Sequence, residues 1–188
     1  MRVFVAVDIP EPLQLGISRL QEALSGRGLR GIRWARPAGI HLTLRFCGEI
    51  PPETVRLISE SLAPGAPMAR LRTRLDQLGT FPPRGRPRVL VITLSESAEL
   101  QDLATWVGKR CETAGIPREL RRFHPHLTLG RFRAEDHPRA PQPLEISQEL
   151  SREVIEVERF KIYQSHLHPD GSRYQALAEF PLLGRGAS

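Results

Sequence analysis

The stretch HLTLRF at residues 41–46 returns as HLTLGRF at residues 126–132, and this repeat is the clearest pattern in the chain. In both copies a histidine and a threonine stand two positions apart, with leucines between and after them. Successive side chains of a β-strand point to opposite faces, so this spacing predicts two strands whose leucines enter a core while histidine and threonine face away from it. A shared tetrapeptide is weak evidence by itself, but each copy also follows a predicted helix and runs into arginine and phenylalanine.

The rest of the chain has more strand-like than helix-like segments, which predicts an α+β fold built on antiparallel sheets. Apolar residues at helical spacing predict helices over residues 12–25, 51–64 and 100–115, and a short one over 143–150. Apolar alternation predicts strands over residues 2–8, 32–35, 40–46, 70–75, 89–94, 123–132, 154–165 and 173–180. The turn residues Pro169, Asp170 and Gly171 join the last two strands as a hairpin.

Length and composition predict one soluble domain. The chain has 188 residues, 40% of them hydrophobic, and its first apolar stretch contains Asp8 and lacks a cleavage site, so no signal peptide is readable. No run reaches the roughly 18 apolar residues of a membrane span. We therefore expect a cytoplasmic protein without membrane association, in which Cys47 and Cys111 are buried reduced thiols rather than a disulfide framework.

The basic charge of the chain is carried almost wholly by arginine. The formal net charge is +6, and 25 of the 27 basic residues are arginine. The planar guanidinium grips phosphate with two hydrogen bonds, which favours a nucleotide or nucleic-acid partner, although codon bias in an arginine-rich genome gives the same composition. The arginine clusters at residues 70–74 and 118–122 could guide an RNA backbone or form solvated faces.

If the polar faces of the two repeated strands meet, two imidazoles and two hydroxyls converge on one small volume. A neutral histidine can take a proton from an attacking water while a charged one gives a proton to the leaving oxygen, each worth roughly 10² to 10⁴-fold in rate. Threonine hydroxyls can donate to the non-bridging phosphate oxygens, where negative charge develops in the transition state. The set suits cleavage of a phosphodiester, with no metal ion needed.

The two HLTL strands at His41 and His126 resemble the paired signature of the two-histidine (2H) phosphoesterases. Within that superfamily the chain is similar, over nearly its whole length, to the RNA 2′,3′-cyclic phosphodiesterases, also called 2′-5′ RNA ligases. The segments that carry the resemblance are RVFVAVDIP, IRWARPAGIHLTLRFCGEI, GTFPPRGRPRVL, FHPHLTLGRF and YQSHLHPDGSRYQALAEFPL. It implies one bilobal domain over residues 1–188, with half-repeat motifs at 41–44 and 126–129, each lobe an antiparallel sheet backed by helices, and the active cleft between the sheets.

The resemblance also implies residue roles and a reaction. His41 would be the proton donor and His126 the proton acceptor. Thr43 and Thr128 would bind the phosphate, and Arg131 would lie near the site. The implied reaction opens a terminal 2′,3′-cyclic phosphate of RNA to a 2′-phosphate without a cofactor, and the same site run backwards joins RNA ends through 2′-5′ linkages. The expected partner is RNA bearing such ends, bound by a monomer.

Other residues near the motifs are weaker candidates for substrate contact. His124 shares the strand face of His126 and could reach the cleft, although a surface position before a proline is the simpler interpretation. Tyr163 could stack a terminal base. Phe46 and Phe132 could do the same, but core packing is the simpler interpretation of both.

Three other functions stay open on sequence alone. The same site could act on a small cyclic nucleotide such as an ADP-ribose cyclic phosphate, or the chain could be an RNA-binding module whose histidines have lost catalysis. The third is a zinc hydrolase, because the pairs His124/His126 and His166/His168 have the spacing of metal ligands on a strand. No carboxylate or cysteine stands at a useful spacing from them, so no metal site is expected.

Overall fold

In the computed structural model, the described part of the chain forms one antiparallel sheet with helices packed against it. The described residues are 1–27, 29–83, 85–133, 146, 148–168 and 171–184. The strands are β1 (Arg2–Asp8), β2 (Ile32–Trp34), β3 (His41–Glu49), β4 (Leu71–Phe81), β5 (Val89–Leu94), β6 (His126–Phe132), β7 (Val154–Val157), β8 (Arg159–His166) and β9 (Arg173–Pro181). The helices are α1 (Glu11–Gly26), α2 (Pro52–Leu62), α3 (Ala98–Thr113) and α4 (Gln148–Arg152), with a 3₁₀ turn at Pro37–Gly39.

The sheet consists of two halves, each with one HLTL strand at its inner edge. The strand order is β7-β4-β5-β6-β3-β1-β8-β9, with β2 paired to β6 off this path. The two HLTL strands, β3 and β6, are joined in antiparallel register through the residue pair Leu42 and Leu127. The predicted α+β class is confirmed, and the two antiparallel lobes meet edge to edge at this pair.

The leucines of both HLTL strands lie in the hydrophobic core, as their alternation predicts. Leu42, Leu44, Leu127 and Leu129 are all buried. Helices α1 and α3 add apolar stripes at helical spacing to the same core cluster, through Leu13, Ile17, Leu24, Leu100, Leu103, Val107 and Cys111. Burial of the leucines leaves the histidine and threonine of each strand on the opposite face of the sheet.

The strand predicted over residues 154–165 is wrong, because the segment forms two strands in different halves of the sheet. Strand β7 pairs with β4, whereas β8 pairs with β1 and β9. The chain bends at Glu158 between them. Val157 and Phe160 are both buried although they stand three positions apart, and an unbroken strand would point them to opposite faces.

Two smaller expectations also change. The strand predicted over 123–132 begins only at His126, because Pro125 has no N–H to give to a strand ladder. Core packing is the simpler expectation for Phe46, yet its side chain is 48% exposed and lies under the guanidinium of Arg2, with 5.1 Å between the guanidinium carbon and the ring centre. A strand end at the sheet surface offers this ring a cation to stack on instead of a core.

Two predicted elements, a short helix and a hairpin turn, fall partly outside the described residues. Of the short helix predicted over 143–150, the structure describes α4, which begins at Gln148. Of the hairpin turn, Pro169 and Asp170 lie outside, but the flanking strands β8 and β9 pair antiparallel as the hairpin requires.

The expectations for cysteine hold in the folded chain. Cys47 and Cys111 are both free and buried, with their Sγ atoms 4.0 Å apart between β3 and α3. The prediction of buried reduced thiols is therefore confirmed. None of the described helices combines the length and apolar character needed to cross a membrane.

A buried amide ties α1 to the sheet beside the junction of the two halves. The Nε2 atom of Gln21 donates to the carbonyls of Ala35 and Leu129, at 2.9 Å each. The N–H of Ala35 donates to the same Leu129 carbonyl at 2.8 Å. The end of β2, the HLTL strand β6 and α1 are thereby held in one hydrogen-bonded cluster.

Replacement of this amide is expected to loosen the cluster. Gln21→Leu keeps the side-chain bulk but removes the donor from two backbone carbonyls, so we expect the free energy of unfolding to fall by about 1–3 kcal/mol in urea titrations. Gln14→Leu is the matched control, because Gln14 donates to the single carbonyl of Ile9 from a less buried position. An equal or smaller loss for Gln21→Leu than for Gln14→Leu would contradict this account.

Candidate active site

The junction between β3 and β6 brings the two predicted motifs side by side. In the register of the leucine pair that joins these strands, His41 lies across from Thr128, and His126 lies across from Thr43. All four side chains are half-buried, on the face of the sheet opposite the buried leucines. The structure therefore brings two imidazoles and two hydroxyls to the meeting point of the two halves.

Both histidine rings are held in the same way by backbone carbonyls. The Nδ1 atom of His41 lies 2.8 Å from the carbonyl oxygen of Gly39, and that of His126 lies 2.7 Å from the carbonyl oxygen of His124. A carbonyl oxygen only accepts hydrogen bonds, so each ring carries a proton on Nδ1 and donates it. This leaves Nε2 of each ring as the atom that can exchange a proton with a substrate.

The two imidazoles differ in their electrostatic surroundings. Burial lowers the pKa of both rings, and the backbone carbonyl that each one contacts opposes this. Beyond these shared effects, the carboxylate of Asp8 raises the pKa of His41, whereas the charges of His124 and Arg131 lower the pKa of His126. His126 also lowers the pKa of His41, so the two rings lie close together. The pKa of both rings is therefore lowered, and the two sites differ in that a nearby carboxylate favours the charged form of His41 whereas the charges near His126 disfavour its charged form.

Aromatic rings support both histidines. Phe4 stacks on His41 with 4.6 Å between ring centres, and Tyr174 presents an edge to it at 5.1 Å. Phe81 presents an edge to His126 at 4.8 Å. These contacts restrict the rotation of both imidazoles and contribute to their burial.

The carboxylate of Asp8 lies beside His41 and accepts hydrogen bonds from two neighbouring side chains. Asp8 is the cross-strand partner of His41 in the ladder between β1 and β3. The hydroxyl of Tyr163 donates to Oδ1 of Asp8, and Nζ of Lys161 donates to Oδ2 at 2.8 Å. Burial and Asp8 raise the pKa of Tyr163, so the hydroxyl keeps its proton and remains a donor. Tyr163, which the sequence offered as a possible base-stacking residue, contacts Asp8 through its hydroxyl and is not among the residues that line the cleft.

A cleft of about 130 Å³ opens beside His41. Of the residues predicted for the site, His41, Thr43, Thr128 and Arg131 line it, and His126 lies across the strand junction from the lining residue Thr43. The remaining lining residues come from β2 and the segment between β2 and β3, from β6, and from the segment that leads into β9: Arg33, Trp34, Ala35, Arg36, Gly39, Ile40, Gly130, Gly171, Ser172 and Tyr174.

The side chain of His124 lies outside this cleft. Its Nδ1 is 3.5 Å from the carboxylate of Glu96, beside a larger cavity of about 450 Å³ that Glu96, Arg122 and Phe123 help to line. Neither the motif histidines nor the motif threonines line that larger cavity. The motif residues therefore gather at the smaller cleft, and the contact of His124 with them is its backbone carbonyl, which accepts a hydrogen bond from the ring of His126.

Several neighbours of the histidines have no clear signal in the sequence. Phe4, Asp8, Phe81 and Tyr174 all contact or face a motif histidine, and the motif pattern points to none of them. Only Asp8 has a visible signal, a carboxylate at the end of an otherwise apolar strand. The other three are aromatic residues of strands, which core packing would explain equally well.

The two arginine clusters, which on sequence could guide RNA or form solvated faces, are largely paired with carboxylates. The pairs are Arg70 with Glu158, Arg72 with Glu156, Arg121 with Glu119 and Arg122 with Glu96, at nitrogen to oxygen distances of 2.6 to 3.0 Å. Much of the positive charge that the sequence pattern offers is therefore locally neutralised in the fold.

The family model described as LigT-like phosphoesterase matches the chain twice, over residues 7–91 and 92–174. The chain belongs to the LigT-like phosphoesterase family. It is 32% identical over 183 residues to a protein of Archaeoglobus fulgidus named RNA 2′,3′-cyclic phosphodiesterase, and the match covers 96% of this chain and 99% of that relative. The predicted family, and with it the class of phosphoesterase, is confirmed.

Solved structures place this LigT-like phosphoesterase in the same fold. The crystal structure of TT0787 of Thermus thermophilus superposes with a TM-score of 0.77 at 32% identity and covers 98% of this chain and 99% of its own. E. coli LigT, solved in complex with 3′-AMP, has a TM-score of 0.76 at 23% identity, covering 97% of this chain and 98% of its own, and shows likeness of fold alone.

The spaced histidine pairs have other contacts in the structure. His126 donates to the carbonyl of His124, and His166 approaches the amide oxygen of Gln175 at 3.3 Å through Nε2. Across the described ranges, no three side chains of histidine, cysteine, aspartate or glutamate are grouped as metal ligands would be.

The asymmetry around the two imidazoles predicts a selective effect of Asp8 in this phosphoesterase. Asp8→Asn removes the carboxylate that raises the pKa of His41, so we expect that pKa to fall while the pKa of His126 stays in place. Titration of the imidazole signals by NMR measures both. Glu179→Gln is the matched control, because Glu179 also contacts Lys161 but is not among the charges that act on His41. Equal shifts of both histidines in Asp8→Asn would contradict the asymmetry.

Proposed function

We propose that this phosphoesterase hydrolyses the 2′,3′-cyclic phosphate ends of RNA to 2′-phosphates, with His41 as proton donor and His126 as proton acceptor. The observation that carries the proposal is the matched fixation of the two rings, each donating from Nδ1 to a carbonyl and each keeping Nε2 for the substrate. A relative matched over nearly its full length is named for this reaction.

The proposed step balances its protons between the two rings. Nε2 of His126 takes a proton from a water whose oxygen bonds to phosphorus. The bond between phosphorus and the 3′ oxygen breaks, and Nε2 of His41 gives its proton to that oxygen. His126 ends charged and His41 neutral, and exchange with solvent restores both. Each proton transfer is worth roughly 10² to 10⁴-fold in rate.

Thr43 and Thr128 are the proposed phosphate ligands. Both line the cleft with His41, and each lies across the strand junction from a motif histidine. Their hydroxyls can donate to the non-bridging oxygens, which gain negative charge as water adds to phosphorus. The two threonines would also orient the ring phosphate between the two Nε2 atoms, since each approaches from a different half of the sheet.

The same arrangement accounts for ligation as a second reaction of the proposed site. If the 5′-hydroxyl of another RNA end takes the place of water, the same two proton transfers produce a 2′-5′ linkage and a free 3′-hydroxyl. RNA is therefore the proposed partner, with Arg131 at the cleft as a substrate contact. A complex of the relative E. coli LigT with 3′-AMP agrees with a ribonucleotide end as ligand. A monomeric state and a cytoplasmic location stay predictions.

Product analysis tests the proposed reaction directly. A short RNA with a 2′,3′-cyclic phosphate end is expected to yield only the 2′-phosphate, at an unchanged rate in excess chelator, since the residues derived for the step are two imidazoles and two hydroxyls. A 3′-phosphate product would contradict the assigned bond cleavage, and inhibition by chelator would favour the zinc hydrolase. Faster turnover of an ADP-ribose cyclic phosphate would identify a small nucleotide as the substrate, and tight RNA binding without product would identify a binding module.

The two histidines are expected to act as one unit. His41→Ala and His126→Ala should each lower kcat by about 10² to 10⁴-fold, and the double variant should lose little more, because removal of either proton transfer blocks the same step. His166→Ala is the control, since His166 contacts Gln175 and does not line the cleft. Full additivity of the two single losses would show that the rings act independently.

A further inference from the structure

Two arginines face each other across the strands at the cleft. Arg33 of β2 and Arg131 of β6 are direct cross-strand partners, and both line the cleft that holds His41. Like charges directly opposite one another destabilise an antiparallel pair. The close approach of β2 that creates this pair depends on Gly130, where a Cβ atom would lie 2.5 Å from the Ile32 side chain.

This arginine pair, Arg33 and Arg131, has no carboxylate partner among the residues that the structure describes. Among the described residues neither guanidinium forms an ion pair or hydrogen bond with a carboxylate. On the neighbouring ladder between β4 and β7, by contrast, Arg72 stands opposite Glu156 and pairs with it at 2.7 Å. The fold thus pairs arginine with glutamate across strands elsewhere, whereas at the cleft two arginines stand opposite each other with no carboxylate partner in the described ranges.

The pair also lies at a useful distance from the reacting phosphate. Arg131 follows Thr128 by three positions on the same strand, which at about 3.3 Å per residue separates the two by at most about 10 Å along β6. An anion held by the two guanidinium groups would therefore be a neighbour of the cyclic phosphate on the same ligand. Guanidinium groups bind phosphate through two parallel hydrogen bonds, and an anion between them removes their repulsion.

We propose that Arg33 and Arg131 form a second phosphate site, which holds the phosphate on the 5′ side of the nucleotide that carries the cyclic phosphate. The inference rests on the proposed function and adds a preference to it. An RNA chain always supplies this second phosphate, whereas a nucleoside 2′,3′-cyclic phosphate with a free 5′-hydroxyl does not. The pair therefore selects chain ends over cyclic mononucleotides.

Three substrates that differ on the 5′ side of the terminal nucleotide measure how much the second phosphate contributes to turnover. They are adenosine 2′,3′-cyclic phosphate with a 5′-hydroxyl, the same compound with a 5′-phosphate, and the adenosine dinucleotide with a 2′,3′-cyclic end. Arg33→Ala is expected to lower kcat/KM on the second and third substrates by about 10- to 100-fold, because each loses hydrogen bonds between a guanidinium and a charged phosphate. On the first substrate, which lacks this phosphate, kcat/KM should change by no more than about twofold. Arg131→Ala should also lose more on the second and third substrates than on the first, but its rate on the first is expected to change as well, because the charge of Arg131 acts on the pKa of His126.

Arg19→Ala is the matched control, because Arg19 is an exposed arginine of α1 outside the cleft, and all three of its rates should match the parent. An equal loss on all three substrates would overturn the proposal, since it would place the arginines against the terminal nucleoside. A loss on the 5′-phosphorylated mononucleotide but not on the dinucleotide would overturn the preference for RNA chains and assign the site to small nucleotides.

Calorimetry with product-like ligands keeps this test independent of turnover. The parent is expected to bind adenosine 2′,5′-bisphosphate more tightly than adenosine 2′-phosphate, and Arg33→Ala should abolish that difference while it binds the 2′-phosphate as before. This result with no hydrolysis of any substrate would refute the proposed function and leave the second phosphate site standing. Equal affinity of the parent for both ligands would refute the second phosphate site.

Discussion

The pairing of Leu42 with Leu127 is the constraint on which the rest of the structure depends. Strand side chains alternate with period two, so burial of these leucines in the shared core forces the histidine and threonine of both strands onto the other face. A slip of one residue in either strand would bury an imidazole and expose a leucine. The hydrophobic core therefore fixes the register of the face that carries the histidines and threonines.

The fold class and the four motif residues could be predicted because they depend on local alternation alone. Asp8 and Phe4 could not, since both act on His41 only after β1 has paired with β3, and the sequence does not state which strands are neighbours. The position of Tyr163 also depends on which strands are neighbours. Its residue type agreed with base stacking, but the pairing of β8 with β1 directs its hydroxyl to Asp8.

Long-range pairing also explains the strand prediction that was wrong and the charge pattern that the sequence left open. The segment over 154–165 has a continuous strand pattern, yet the chain bends at Glu158 because β7 and β8 belong to different halves of the sheet. The arginines at 70 and 72 read as a basic face along one strand, but the glutamates opposite them come from β7 and Glu158, more than 80 positions later in the chain. A charge pattern along one strand therefore says little about the net charge of a sheet face.

Two identical tetrapeptides can serve different chemical roles because their neighbours differ. Backbone fixation of the ring is the same at both motifs, so it cannot distinguish a donor from an acceptor. The distinction arises one strand away, where β1 places a carboxylate beside His41, and further along β6 itself, where Arg131 adds a positive charge near His126. In a site built from a repeated motif, the proposed assignment of one acid and one base would therefore depend on the residues around each motif, while each half keeps the same HLTL sequence.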